Sequence, residues 1–477
     1  MRLTSILALL ALTACATTPP ATGEFQQVRR TCRQWVATGK VRSIAVAIAR
    51  NGKIVFEEAY GYQDAEAKRE ATVDTMYTLA STGKSITGTV FQELAHHNEI
   101  DLDAPVTRYL PRDELTVYEG NPAQVTVRAM LSMGVAVPHL WWHHWEDQRN
   151  IRLTRAELAR RYAIVVAPPD GGFYYSNLTY GLLAETAANA TRTDFASLVA
   201  QTVFEPLGMT HSSLRPEPRF APWLAAAYGS DGTRRPYAYS DPEGAAGYRA
   251  SIHDLMLYSL AQLGYVPNFR YLRQTHDARE GYFAGWGHLK DAGGLRFAIS
   301  NGGIVGGSSE IKLVPEDNLA VACLSNTTGA PVGEIVDAAI GAVDGRYQGK
   351  IATALPKEEP FSATVADTGH WTGEVKTWEA IIPIAMDVTP DGGVSLLIGT
   401  SAPQPLTRVR IDAGFVRGEC GCSIPLSDTE GEPTKADFAL RRAGDRWFGS
   451  VRVISTGPRS SFSLPAFVTL TRTTPPR

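Results

Sequence analysis

The chain predicts an α+β fold: an antiparallel sheet flanked by helices, with a helical subdomain, followed by a C-terminal all-β barrel or sandwich. Three observations predict it. Strand-like runs at 43–61 and 295–325 bracket the first domain, and helix-spaced apolar residues fill its middle. Beyond a polar break the texture changes to short alternating segments separated by turns. At 477 residues there is chain enough for two or three domains with sizeable cores.

The first residues read as a processing signal. Arg2 supplies a short positive region, and residues 6–12 an apolar core too short to span a bilayer permanently. Leu12-Thr13-Ala14-Cys15 resembles a bacterial lipobox, in which cleavage precedes the cysteine and lipid is attached to it. An ordinary secretory signal cut at another small residue is the alternative. Under the lipobox reading, residues 1–15 are the signal and lipidation site. Residues 16–25 then form a linker through which acyl chains tether the protein to a membrane. Both readings predict export. The resemblance to lipoproteins implies a periplasmic face, and the lack of Asp after Cys15 leans toward the outer membrane where the cell has one.

The large domain is expected over residues 26–345. Ser43–Arg50 and residues 53–61 are strand-like runs joined at Asn51-Gly52, a dipeptide that suits a tight hairpin. Ile86, Val90 and Leu94 form a four-spaced apolar row that predicts a helix, ending at His96-His97-Asn98. Residues 156–162, 180–190, 194–203 and 252–263 carry helical spacing between Pro and Gly stretches. Strands return at 295–300, 310–314 and 319–325, and 330–343 reads as a closing helix. A linker at 346–361 leads to a separate all-β domain over 362–477, punctuated by Asp391-Gly392-Gly393 and Ala443-Gly444-Asp445.

The formal net charge of -3, with no basic block, argues against a nucleic-acid partner. Of five cysteines, Cys15 belongs to the lipobox, and Cys323 lies in an apolar run that suits a buried thiol. An exported chain permits disulfides, but spacing alone assigns no pairing. Cys420-Gly421-Cys422 has the form of a metal half-site with no matching second pair, so neither metal nor cofactor is expected.

The chemistry concentrates at Ser81-Thr82-Gly83-Lys84, at the start of the predicted helix. A serine and a lysine three positions apart project from one turn, so the amine can reach the hydroxyl. Unpaired N–H groups at the helix start favour an oxyanion, while burial favours the neutral amine that can take a proton. Gly83-Lys84-Ser85 also resembles the end of a phosphate-binding loop. That motif requires a glycine where Thr78 stands, which removes the nucleotide reading. Tyr175-Ser176-Asn177 follows a Pro/Gly loop, and two residues apart on extended chain would point a phenol and a carboxamide into one cleft. Asn301-Gly302-Gly303 ends a strand where glycine lets backbone approach a ligand. The N–H of Ile304 is then a candidate second oxyanion donor beside that of Ser81.

These motifs, in this order, resemble the serine β-lactamase and penicillin-binding protein superfamily, on the branch of class C β-lactamases, D-stereospecific peptidases and esterases. The resemblance covers roughly residues 26–345. It implies acylation of Ser81, with Lys84 and Tyr175 moving protons, and with Asn177 bonded to Lys84 and to a substrate amide. The implied substrate is a small molecule or peptide, as an ester or amide. Two departures stand out. Asn301 occupies the place given to a strand Lys or His, and an amide offers neither charge nor titration near neutral pH, which disfavours β-lactam hydrolysis. Leu131-Ser132-Met133-Gly134 replaces a His-Thr-Ser-Gly stretch. A penicillin-binding or β-lactam-hydrolysing protein, or a slow-turnover sensor on the same fold, is the alternative. The aromatic and imidazole run from His139 to Trp145 fits an acyl pocket or ordinary packing; His139 and His143 also have helical ligand spacing, but Pro138 and the tryptophans interrupt a helix there and no His-Glu-x-x-His pattern exists.

Overall fold

The computed structural model describes residues 23, 25–146, 153–277, 279–349, 358–429, 432–457 and 460–473. The predicted signal, Cys15 and nearly all of the linker at 16–25 lie outside the described residues.

The large domain runs from α1 (Gln26–Ala37) through β1 (Ser43–Arg50), β2 (Lys53–Asp64) and α2 (Gly83–His96). A middle region follows with β3 (Trp141–Trp145), α3 (Asn177–Thr191), β4 (Ala238–Asp241) and α4 (Ile252–Gln262). It closes with β5 (Gly281–Phe283), β6 (Trp286–Lys290), β7 (Arg296–Ile304), β8 (Gly307–Val314), β9 (Leu319–Ser325) and α5 (Val332–Val343). The sheet order is β5-β6-β7-β8-β9-β1-β2, antiparallel throughout, with short strand Arg69–Glu70 at the edge. Both ends of the domain thus meet at the β1–β9 pair, as expected.

Both faces of the sheet are covered, and β1 shows how. Ile44, Val46 and Ile48 pack with Val28 and Cys32 of α1 and with Ile335 and Ile340 of α5. The alternate residues Ala45, Ala47 and Ala49 face the other layer, where Ala presents little side-chain bulk to the helices. In that layer α2 is buried from Gly83 to Leu94, which makes it the central helix. The amphipathic α1 and the pair β5–β6 are additional to the expected elements.

The C-terminal segment forms β10 (Gly369–Lys376), β11 (Ile381–Val388), β12 (Val394–Ile398), β13 (Thr407–Asp412) and β14 (Phe415–Cys420). After them come β15 (Lys435–Ala443), β16 (Arg446–Gly457) and β17 (Ser460–Arg472). Their order is β13-β14-β15-β16-β17-β10-β11-β12. The expected separateness of this domain is corrected. One edge of β17 is shared, because Phe467 to Arg472 pair with β10 while Ser461 to Ser463 pair with β3 of the large domain, which in turn pairs with β4. The aromatic run therefore forms a strand because it completes a sheet. Cys420 and Cys422 form a disulfide, which replaces the half-site reading, and Cys32 and Cys323 are buried thiols.

Candidate active site

Ser81 sits in a single 3-10 turn, Ala80–Thr82, that runs into α2. Ala80 has φ 46, a left-handed conformation that costs a residue with a Cβ roughly 1–3 kcal/mol. Neighbouring bonds hold it there. The N–H of Leu79 donates to the Tyr248 carbonyl at 2.8 Å, and Ser309 Oγ on β8 donates to the Leu79 carbonyl at 2.6 Å. Thr82 Oγ1 lies 2.8 Å from the same Ser309 hydroxyl. Gly302, opposite Ser309 on β7, passes directly behind the turn: a Cβ there would fall 2.3 Å from the Leu79 oxygen and 2.6 Å from the Ser81 nitrogen. Only glycine fits that approach.

Two groups converge on the nucleophile. Lys84 Nζ donates to Ser81 Oγ at 2.9 Å, and the Tyr175 hydroxyl donates to the same oxygen at 2.8 Å. Lys84 is 1% exposed, and burial pushes its amine below the ordinary lysine range, opposed by Tyr175. Its other partner is the carbonyl of Ala245 at 3.0 Å. The Tyr175 ring centroid lies 5.0 Å from Nζ, so the phenol caps the amine on the cleft side.

The expected Asn177–Lys84 bond is not formed. Ser176 caps α3, which makes Asn177 the first helical residue rather than part of an extended chain. Its N–H donates to His139 Nδ1 at 3.1 Å, while its side-chain oxygen is buried without a partner. His139 stays neutral: burial, reinforced by Arg452, Lys84 and Arg417, lowers its pKa to about 3. The unusual loop at 131–134 serves as the support of this segment. Met133, at φ 54, accepts the N–H of Tyr174 on its carbonyl at 2.7 Å and that of Ser176 on its sulfur at 3.4 Å.

The strand motif is also corrected by one position. Side chains alternate along β7, so Ser300 and Gly302 share the face turned to the nucleophile, and Ser300 Oγ donates to the Thr82 carbonyl at 3.5 Å. Asn301 alternates to the other face of β7 and is exposed, and it lines the outer part of the same cleft. The position that could set a cation beside Ser81 thus holds Ser300. Pairing between β6 and β7 stops at Gly287↔Ile299, which leaves the following β7 backbone without a strand on that edge. There Asn301, Gly302 and Gly303 line the cleft with Ser81, Lys84 and Tyr175, and Ile304 does not. The cleft measures about 770 Å³. Ser300, Ser309, His139 and the Ala245 carbonyl are site groups that sequence reasoning missed or left without a role. A backbone carbonyl leaves no side-chain signal, and the strand register alone distinguishes Ser300 from Asn301. No cluster of three or more metal-ligating side chains occurs among the described residues.

Comparison with known proteins agrees with this architecture. Residues 28–344 match the family model described as Beta-lactamase. Protein flp of Staphylococcus aureus is 25% identical over 329 residues, and the match spans 65% of either chain. Esterase EstB of Burkholderia gladioli is 33% identical over 178 residues, covering 35% of this chain and 45% of the esterase. Among solved structures, the octameric penicillin-binding protein homologue from Pyrococcus abyssi superposes with a TM-score of 0.57 at 19% identity, over 93% of this chain and 99% of that one. A class C beta-lactamase gives 0.56 at 17% identity over 68% and 97%, so both share the fold. With a serine, a lysine and a tyrosine converging at the start of α2 and two thirds of the chain matched, the protein belongs to the Beta-lactamase family.

Proposed function

We propose that the protein is a serine hydrolase that forms an acyl-enzyme on Ser81 with an ester or amide, such as a short peptide or D-amino-acid derivative. The observation that carries this is the double contact on Ser81 Oγ, from Lys84 Nζ at 2.9 Å and the Tyr175 hydroxyl at 2.8 Å.

Neutral Lys84 takes the Oγ proton as Oγ bonds to the carbonyl carbon. The resulting oxyanion is held by the N–H of Ser81 and by an N–H from the free edge of β7 at Gly303. Tyr175 gives its proton to the leaving atom as that bond breaks, and regains one from Lys84. Water then repeats the sequence on the acyl-enzyme. Ser300 supplies no charge beside Ser81, which favours an ester or peptide over a β-lactam, and the esterase among the relatives points the same way.

The test is labelling with a fluorophosphonate and a tagged penicillin, followed by intact mass. Wild type is expected to gain the phosphonyl mass and Ser81→Ala to gain none; an unlabelled wild type overturns the reading. The missing strand cation favours one further reading, a protein that acylates and turns over slowly, in which case a penicilloyl adduct persists for hours. Anchoring through Cys15 is tested separately: Cys15→Ala should lack diacylglyceryl mass and leave the membrane fraction.

A further inference from the structure

We propose that the C-terminal sheet supplies an anion subsite beside Tyr175, and that the substrate's leaving group carries a carboxylate bound there by Arg417, Arg452 and Arg410. This rests on the acyl-transfer reading above and names the substrate class.

A cavity of about 410 Å³ separates residues 136–139 and 173–175 of the large domain from the inner face of the C-terminal sheet. Such a volume suits a small organic group. Tyr175 lines both this cavity and the cleft that holds Ser81. The floor is a cross-strand row. Arg410 on β13 stands opposite Arg417 on β14, Arg417 opposite Ala439, and Ala439 opposite Ser450; Arg452 follows two residues along the same strand. All five line the cavity.

Two like charges directly opposite each other destabilise a sheet, and this interface otherwise has an apolar filling, Phe415, Phe448 and Phe467 against Val166 and Tyr174. Three guanidiniums line this place, each with one carboxylate within ion-pair distance, so what the site offers an anion is N–H donors without an aligned acceptor rather than net charge. Arg417 is largely buried, and burial, opposed by Asp412 and Asp437 and joined by Arg452 and Arg410, weakens its hold on its proton. The Nε atoms of Arg410 and Arg417 are buried without a hydrogen bond, although Glu358 and Asp412 approach them at 2.9 and 2.8 Å. Arg452 pairs with Asp437 and lies 5.9 Å from the Trp141 ring. Donors therefore exceed aligned acceptors, while three carboxylates balance three guanidiniums in charge. That balance favours a singly charged carboxylate over a dianionic phosphate.

The position of the cavity assigns the part of the substrate. Tyr175 protonates the leaving atom, so the group beyond Tyr175 is the leaving group. Its charge is met by the second domain because Ser300 leaves the nucleophile strand without a cation.

The experiment compares phenyl acetate with 3-carboxyphenyl acetate on the full-length protein, together with Arg417→Gln and Arg452→Gln. Wild type should favour the carboxylated ester by about ten- to a hundredfold in kcat/KM. Either variant should bring that ratio close to one. Titration of Ser81→Ala protein with 3-hydroxybenzoate and with phenyl phosphate removes turnover from the test. Tighter binding of 3-hydroxybenzoate, lost on adding Arg417→Gln, is expected. A wild-type ratio near one, a preference that survives in both variants, or tighter binding of phenyl phosphate overturns the proposal. If neither ester is turned over, the acyl-transfer reading fails, and the binding titration still decides the anion subsite.

Discussion

Gly302 lies against the backbone of Ser81, so close that a Cβ would meet the Ser81 nitrogen at 2.6 Å. The strand that lines the cleft and the turn that presents the nucleophile are one rigid unit. Gly302→Val should therefore lower stability by about 1–3 kcal/mol and abolish phosphonate labelling, since strand or turn must shift. Gly303→Ala, whose Cβ meets nothing within 4 Å, should leave Tm unchanged. Thermal melts of the two variants check the contrast.

Lys84 sets the pH dependence. Its amine is held below the ordinary lysine range by burial, so the acylation rate should rise with pH through an apparent pKa below 10.5. Lys84→Arg should cost about 10²- to 10⁴-fold, because a guanidinium cannot give up its proton near neutrality. Between the lowered folded pKa and 10.5 the unfolded chain binds more protons, so this residue makes stability rise with pH in that window. Lys84→Met should thus melt higher than wild type at pH 7 while losing activity. Rate profiles and melts from pH 5 to about pH 10 test both signs.

His139 predicts acid lability. It is held neutral with a pKa of about 3, and His143 and His288 of about 4, in each case first through burial. Below pH 6.5 the unfolded chain protonates these rings and the folded one does not, so stability falls as pH drops from 6.5 toward those values. Each ring contributes up to about 1.4 kcal/mol per pH unit. Urea melts at pH 7 and pH 5 should differ accordingly, and His139→Asn should flatten part of the slope.

The shared sheet predicts that the two domains do not separate. A chain ending at residue 349 would lose one of the two partners of β3 and uncover Val166 and Tyr174, and would break the Arg161–Asp428 and Arg446–Glu119 pairs, both at 2.6 Å. It should be recovered as aggregate or be cleaved rapidly by trypsin. A soluble fragment that still labels with phosphonate would show that β3 holds its shape alone.

Much was legible in the sequence because it is encoded locally. The Asn51-Gly52 hairpin, the apolar row of α2 and the Ser81-to-Lys84 spacing follow from backbone geometry within a few residues. So does the Tyr175 motif, which the structure brings to 2.8 Å from Ser81. Asn177 was misplaced because a Ser176 cap, set by the loop at 131–134, starts a helix where extended chain was expected. The aromatic run gave no strand alternation of its own, since both of its partners, β4 and β17, are remote segments of the chain.

By itself, then, the sequence determined the order of the strongly periodic strands and helices and the residue types able to activate a serine, because periodicity and short spacings dictate which side chains share a turn. Tertiary structure alone decided that Ser300 faces the nucleophile, that Ala245 completes the lysine's contacts, and that arginines of a distant strand pair stand beside Tyr175. Those relations depend on register and on contacts between remote segments, which no local pattern specifies.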